Sequence, residues 1–177
     1  RVLFRSFWYN GIYTPEQCDE LSRLLQEDSK KCQAADNPAK GTIKTATVKP
    51  VAWEHCKHYL GKLDQLMKYT NLSQFGLHLY DMTDSECVNY NEYSEEKLGQ
   101  YEWHSDGTKD GDVYDIKMTT ILNLSTEPYE GGRLELFLNG ERHIQELDRP
   151  GAVLCFPSWV QHRVTPVTKG IRKTLSI

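Results

Sequence analysis

Apolar positions along the chain follow two successive periods. Thr14-Pro15-Glu16-Gln17 reads as a capping box with proline in the first helical position, and Cys18, Leu21, Leu24 and Leu25 continue it as a stripe at helical spacing. This predicts a helix to about Asp28. Trp53, Cys56, Leu60, Leu63, Leu66 and Met67 recur at three and four residues, predicting a second amphipathic helix over roughly Val51 to Tyr69. The stretch between them, Ser29 to Pro50, is polar and lysine-bearing, with only a weak strand signal around Ile43 to Val48, and is expected to form a flap.

From Phe75 the period becomes two. Leu77 and Leu79, then Val88 and Tyr90, alternate with polar neighbours around an Asp81 to Ser85 turn, predicting a strand pair. Further strands are expected at Lys117 to Leu124, Arg133 to Leu138, Glu141 to Leu147, Ala152 to Phe156, His162 to Val167 and Ile171 to Ile177. Gly131-Gly132, Asn139-Gly140, Pro150-Gly151 and Lys169-Gly170 punctuate them with turn chemistry. Short strands at this spacing after two helices predict a mainly β fold, a double-stranded β-helix (jelly roll) buttressed by two N-terminal helices. The whole of 1–177 is expected to be one domain, with helical support to about 75 and the β core from about 76.

Charge and cysteine usage narrow the partners. With 21 Lys plus Arg against 25 Asp plus Glu the net charge is -4, which disfavours nucleic acid. No apolar window is long enough to span a bilayer and the first ten residues lack a signal-peptide core, so a soluble cytoplasmic protein is expected. The five cysteines are odd in number and contain no C-x-x-C pair, which argues against a disulfide framework and for small buried hydrophobes. The chain opens at Arg1 and stops at Ile177 inside an apolar run, so native residues are expected beyond both ends.

Among the six histidines, His55, His58, His78 and His143 sit where surface or structural roles explain them. His104 differs, because His104-Ser105-Asp106 lies where a strand (Tyr101 to His104) meets the polar loop Gly107 to Tyr114. Residues i and i+2 of a strand share a face, so imidazole and carboxylate can converge on one ion. Six histidines and eleven aspartates in 177 residues yield about 0.4 such triplets by chance, so a third ligand is needed. His162, opening a late strand after Pro157-Ser158-Trp159, supplies it. Two imidazoles and a carboxylate form a facial set suited to non-haem Fe(II), with positions left open. Ten residues on, Arg172 falls on the next strand, where its planar guanidinium could clamp one end of a dicarboxylate shaped like 2-oxoglutarate.

The runs GQYEWHSD (99–106), YEGGRLEL (129–136) and PGAVLCFPSWVQHRVTPVTKGIRKTLSI (150–177) closely resemble the Fe(II)- and 2-oxoglutarate-dependent dioxygenases of the prolyl 4-hydroxylase-like group, with the last run most similar to the bacterial prolyl/lysyl hydroxylase-type branch. The resemblance is strong over about Leu77 to Ile177 and weak over the helical part. It implies that His104, Asp106 and His162 hold Fe(II), that Arg172 pairs with the distal carboxylate of 2-oxoglutarate, and that Thr174, Tyr93 and Asn123 line the cosubstrate pocket. It implies C–H hydroxylation by O2 with succinate and CO2 as coproducts, and ascorbate as reductant. Asp106 argues against a halogenase, where a small residue replaces the carboxylate. Trp103, Tyr101 and Trp159, close in sequence to the ligands, and the loops Ser29 to Pro50 and Gly107 to Tyr114 are substrate-contact candidates.

A prolyl or other protein residue is the leading substrate, and a free amino acid or small metabolite is the alternative. The rival from another class is a cupin-like metal- or ligand-binding protein without oxygen chemistry, which would have no use for Arg172. Neither the substrate nor the oligomeric state follows from these residues.

Overall fold

The structure, a computed structural model, describes residues 6–32, 37–38, 43–106 and 116–177. In chain order the elements are β1 (Phe7–Tyr9), α1 (Pro15–Ser29), β2 (Asn37–Pro38), β3 (Lys44–Thr45), β4 (Thr47–Ala52), α2 (Trp53–Thr70), β5 (Cys87–Ser94), β6 (Gln100–His104), β7 (Met118–Asn123) and β8 (Glu130–Gly131). They continue with β9 (Leu134–Phe137), β10 (Glu141–His143), β11 (Val153–Pro157), β12 (His162–Val164), β13 (Val167–Lys169) and β14 (Ile171–Ser176). One antiparallel sheet has seven strands in the order β1-β11-β7-β14-β5-β4-β2, a second has five in the order β10-β9-β12-β6-β3, and β13 pairs with β8.

Both predicted helices are present. The Thr14 hydroxyl accepts the Gln17 N–H while the Gln17 side chain accepts the Thr14 N–H, so the capping box closes as read from the sequence. α2 has no side-chain cap. Its first N–H groups are satisfied instead by the carbonyls of Glu86 (2.7 Å) and Asp84 (3.1 Å), which is why the helix begins at Trp53 and leaves Val51 in β4. Leu21 and Leu25 of α1 and Cys56, Leu60 and Leu63 of α2 pack on Val88, Tyr90, Leu122 and Leu175, closing one face of the seven-stranded sheet. The other face meets the five-stranded sheet through Tyr93, Ile121, Leu134, Leu136, Leu154, Phe156 and Val164.

Three predicted strands change. Leu77 and Leu79 alternate as a strand should, but β5 already has β4 and β14 on its two edges. With no edge to pair with, residues 76–83 run as irregular chain, and Leu79 is exposed. The strand expected over Glu141 to Leu147 ends at His143, after which Ile144 and Leu147 turn into the inter-sheet core through a 3-10 turn. The strand expected over His162 to Val167 breaks at Pro166, and its two halves join different sheets. The weak Ile43 to Val48 signal resolves into β3 and β4; the rest of the expected flap at 33–36 and 39–42, and the 107–115 loop, lie outside the described residues.

Candidate metal centre and anion site

His104 ends β6 and His162 begins β12, and these antiparallel strands place the two residues directly opposite each other. The 58-residue separation in sequence is thus removed by pairing. The His104 Nε2 lies 3.6 Å from Asp106 Oδ1 and the His162 Nε2 3.3 Å from Asp106 Oδ2. Among the described residues these three form the one group of metal-ligating side chains whose donor atoms all lie within 4.8 Å of one another.

Backbone carbonyls set the tautomers. His104 Nδ1 lies 2.7 Å from the Glu102 carbonyl and His162 Nδ1 lies 3.0 Å from that of Val160; a carbonyl only accepts, so both Nδ1 atoms carry hydrogen. Nε2 is therefore the nitrogen that each ring turns towards Asp106. Burial, reinforced by His162, pushes His104 down to about 4, so its ring is a neutral ligand across the physiological range. Burial opposes charge on Asp106 as well, but the hydrogen bond and charge of His162, the Thr119 hydroxyl and His104 outweigh it and hold the carboxyl below its ordinary range. The Thr119 hydroxyl donates to Asp106 Oδ2 at 2.8 Å, and the Asp106 N–H donates to the Ser158 carbonyl at 2.9 Å.

A register shift in β6 shapes the wall beside His104. His162 faces His104 and Val164 faces Tyr101, so two steps along β12 correspond to three along β6. Strict alternation would send Tyr101 and His104 to opposite faces; the bulge brings them together, and the Tyr101 ring stacks on His104 with centroids 3.4 Å apart and planes 15° from parallel. Trp103 goes the other way. Its ring lies under the Arg163 guanidinium at 4.7 Å and against the half-exposed Phe137, on the outside of the five-stranded sheet. Trp103, a substrate-contact candidate for its closeness in sequence to His104, thus packs on Arg163 and Phe137 rather than beside the imidazoles. Trp159 is 41% exposed in the turn before β12.

Arg172 is 3% exposed, sits opposite Tyr93 in the β14–β5 register, and holds its guanidinium carbon 5.4 Å from the Tyr93 ring centre. Among the described residues no carboxylate lies within ion-pair distance of it. A buried cation of this kind is stable only with an anion or strong dipoles at hand. Burial pushes the Tyr93 hydroxyl up to about 12 against the opposing pull of Arg172, so it is a neutral donor facing the same space. Gly132 explains the Gly-Gly turn: a Cβ there would meet Val167 at 2.8 Å and the Arg172 stem at 3.0 Å, so the turn leaves the corridor along which Arg172 enters. Gly99 does the same beside Tyr93, where a Cβ would lie 2.7 Å from the Tyr93 Cα.

Thr174, buried, stands opposite Asn91 and Asn123, one inward step from Arg172. Asn123, a pocket candidate, has its amide engaged by the backbone. Its amide donates to the Leu147 carbonyl (2.8 Å) and accepts the Ser125 N–H (2.9 Å), so both ends are used to fasten the β7 exit to the 3-10 turn. Two residues that no motif singled out also belong to the cavity. Thr119 carries no sequence signal beyond its alternation with Ile121. Lys44, read before only as one of several flap lysines, reaches inward from β3 to donate to buried Asn91 (3.2 Å), with its ammonium 4.6 Å from the Tyr101 ring centre. Burial, partly offset by Asp106, pushes it down to about 8. A surface cavity of about 380 Å³ lies elsewhere, lined by residues between Ser125 and Arg133 with Asp148 and Pro150, and contains none of these groups.

The donor set fits Fe(II): two imidazoles whose Nδ1 atoms are held by backbone carbonyls, one oriented carboxylate and, among the described residues, no thiolate beside them. The buried guanidinium, with no carboxylate beside it among the described residues, fits a dicarboxylate cosubstrate. The sequence profile of the 2OG-Fe(II) oxygenase superfamily matches residues 88–177, just over half of the chain and the part that contributes His104, Asp106, His162 and Arg172. The chain belongs to that superfamily, whose members use Fe(II), 2-oxoglutarate and O2, and it is an oxidoreductase of the dioxygenase type.

The fold is similar to that of a Pseudomonas putida prolyl-4-hydroxylase (TM-score 0.73, 23% identity, 98% of this chain and 90% of that one). It is also similar to a prolyl hydroxylase from Trichoplax adhaerens in complex with a hypoxia inducible factor oxygen degradation domain peptide fragment (0.71, 18%, 97% and 81%). A viral collagen prolyl hydroxylase from Paramecium Bursaria Chlorella virus-1 is a third relative in fold (0.69, 16%, 97% and 93%). A search of curated proteins finds no match to the sequence. The family match favours oxygen chemistry over a cupin-like binding protein. No helix among the described residues is long and apolar enough to cross a membrane.

Proposed function

We propose that this oxygenase hydroxylates a C–H bond on a prolyl or other residue of a protein or peptide, with one unit of the double-stranded β-helix type built from the whole of 1–177. The observation that carries the reading is the pairing, between the same two sheets, of the His104–Asp106–His162 cluster with the buried Arg172, which has no carboxylate beside it among the described residues. The peptide held by the Trichoplax relative of the same fold supports a peptidyl substrate. Iron with 2-oxoglutarate, when bound, supplies the oxidising power, converting the cosubstrate to succinate and CO2 as O2 is consumed.

The chain's own residues bind, orient and keep the site dry. His104, Asp106 and His162 would hold the metal. The Glu102 and Val160 carbonyls prevent either imidazole from turning its protonated nitrogen inward, and Thr119 fixes the carboxylate plane. Arg172, backed by the Tyr93 ring, binds the far carboxylate of the cosubstrate, with Thr174 beside it. Tyr101 and Phe156 pack on the two imidazoles, and Ile121, Leu134 and Leu136 wall the cavity against water.

Purified protein with Fe(II), 2-oxoglutarate and ascorbate should release succinate slowly without substrate and faster with a hydroxylatable peptide, which gains one oxygen by mass. Absence of both 2-oxoglutarate binding and uncoupled succinate release overturns the enzyme reading. Turnover stimulated by free amino acids and by no peptide redirects it to small molecules.

A further inference from the structure

The rim of the cavity holds a cation that neither the metal cluster nor the cosubstrate site uses. Lys44 stands opposite Tyr101 in the β3–β6 register, and the Glu102 N–H donates to the Ile43 carbonyl at 2.7 Å, so β3 is fastened to the strand that ends in His104. The Lys44 ammonium lies 4.6 Å from the centre of the Tyr101 ring, and that ring stacks on His104. A single aromatic ring thus links the charge to a metal ligand.

This ammonium is short of partners. One of its three N–H donors goes to Asn91 Oδ1 at 3.2 Å, and Asn91 is held in that orientation because its amide nitrogen donates to the Asn89 carbonyl and the Ser176 hydroxyl. Lys49, half-buried on β4, pairs with Glu92 at 2.9 Å; among the described residues no carboxylate lies within ion-pair distance of Lys44. With its pKa at about 8, Lys44 still carries its charge at neutral pH. A desolvated ammonium with one neutral hydrogen bond is poorly satisfied, and a carboxylate would complete it with charge-assisted bonds.

Charge balance and burial indicate which carboxylate. With Fe(II) and 2-oxoglutarate bound, Asp106 and the two cosubstrate carboxylates would offset the metal and Arg172, and the Lys44 charge would be left over. Arg172, Tyr93 and Thr174 form the buried floor of the cavity, whereas Lys44, Tyr101 and His104 are half-buried at its rim. The cosubstrate belongs to the floor, and the rim is what a later arrival from solvent meets.

We propose, resting on the hydroxylase reading, that Lys44 selects an anionic substrate by holding a carboxylate next to the carbon to be hydroxylated. That carboxylate is an aspartyl or glutamyl side chain beside the target residue of a peptide, or the α-carboxylate where the target is a chain end or a free amino acid. Asn91 fixes the ammonium, and the donors it does not take point the charge at the substrate. Lys44 orients and discriminates; it transfers no proton.

The test uses twin libraries in which the target position is varied and every sequence is present with aspartate or asparagine, or glutamate or glutamine, beside it. Further arms pair peptides ending in a free acid or an amide, and amino acids with their amides. The immobilised chain, loaded with 2-oxoglutarate and with Mn(II) in place of iron so that nothing turns over, is exposed to each mixture, and retained twins are counted by mass spectrometry. The acid member should be retained about 10- to 100-fold more tightly in one arm, the range of one hydrogen bond to a charged group, and that arm names the source of the carboxylate. Lys44→Met should bring the twins level, while Lys44→Arg, which keeps the cation, should retain the preference. Twins retained alike or not at all in the wild type, or a preference that survives in Lys44→Met, overturns the proposal. So does a Lys44→Met loss of 2-oxoglutarate affinity as large as that of Arg172→Met, which would make Lys44 a second cosubstrate anchor. The wild-type ratio and the arginine variant decide the question even if the methionine variant fails to fold. Retained acid twins that gain no oxygen when Fe(II) and O2 replace Mn(II) sink the hydroxylase reading and leave the anion site standing; acid and amide twins hydroxylated equally do the opposite.

Discussion

The two faces of the seven-stranded sheet use the same strands for opposite ends. On the helix side, Val88, Tyr90, Leu122 and Leu175 meet an apolar layer from α1 and α2, and nearly every contact is hydrocarbon. On the other side the same strands present Asn91, Tyr93, Thr119, Arg172 and Thr174, all nearly fully buried yet polar or charged. Alternation along β5 and β14 generates both surfaces at once. One face supplies stability by burying area; the other carries the cost of burying polar and charged groups, some paired within the chain, as Thr119 is with Asp106 and Asn91 with Lys44.

The sharpest way to break this contrast is to damage each face and ask what changes. Leu60→Ala, from a side chain with no exposed surface on the helix side, should lower unfolding free energy by about 2–5 kcal/mol in urea titration while leaving 2-oxoglutarate affinity intact. Arg172→Met should do the reverse. Calorimetric 2-oxoglutarate affinity should fall by about 100-fold, metal content should hold, and melting temperature should stay or rise, because an unpaired buried charge has been removed. If the variant loses metal instead, the anion site has been misplaced.

Lys44→Met probes the cost of a second cation on the polar face. Lys44 falls from 10.5 to about 8 on folding, so between those values the unfolded chain holds more protons and stability of the native protein rises with pH. The variant should be more stable by about 1–2 kcal/mol at pH 7, after loss of the Asn91 bond, with the difference shrinking as pH climbs from about 8 to 10.5. A gap that stays constant with pH shows that Lys44 is not desolvated. The smallest effect is expected for Thr119→Val, which removes one hydrogen bond to Asp106 and should weaken Fe(II) binding about tenfold, read by metal competition at constant fold stability.

Legibility differed between the two faces as well. Helix-side residues were visible because an apolar side chain at spacing three, four or two carries its own signal, and the capping box at Thr14 sits where it was read. Polar-face residues were visible only where a motif concentrated them, as in His104-Ser105-Asp106 and the Gly131-Gly132 turn. Leu77 and Leu79 show the failure in the other direction: the pattern was a strand's, but a strand needs a free edge, and β5 had none to offer. Asn123 faced inward as expected, yet two nearby backbone groups claimed its amide before any ligand could. Lys44 and Thr119 gave no signal, since a lysine in a polar stretch and a threonine in an apolar strand look like surface and filler.

Sequence alone singled out residues of the right type for iron and a dicarboxylate, and it located the two helices and the glycine turns, because these depend on residue type and local spacing. Tertiary structure decided that His162 stands opposite His104, that a bulge turns Tyr101 onto that imidazole while Trp103 goes outward, and that Arg172 is buried over Tyr93 with no carboxylate beside it among the described residues. Those outcomes rest on strand order and register, which are set by competition among all strands for the available edges and are written in no single segment.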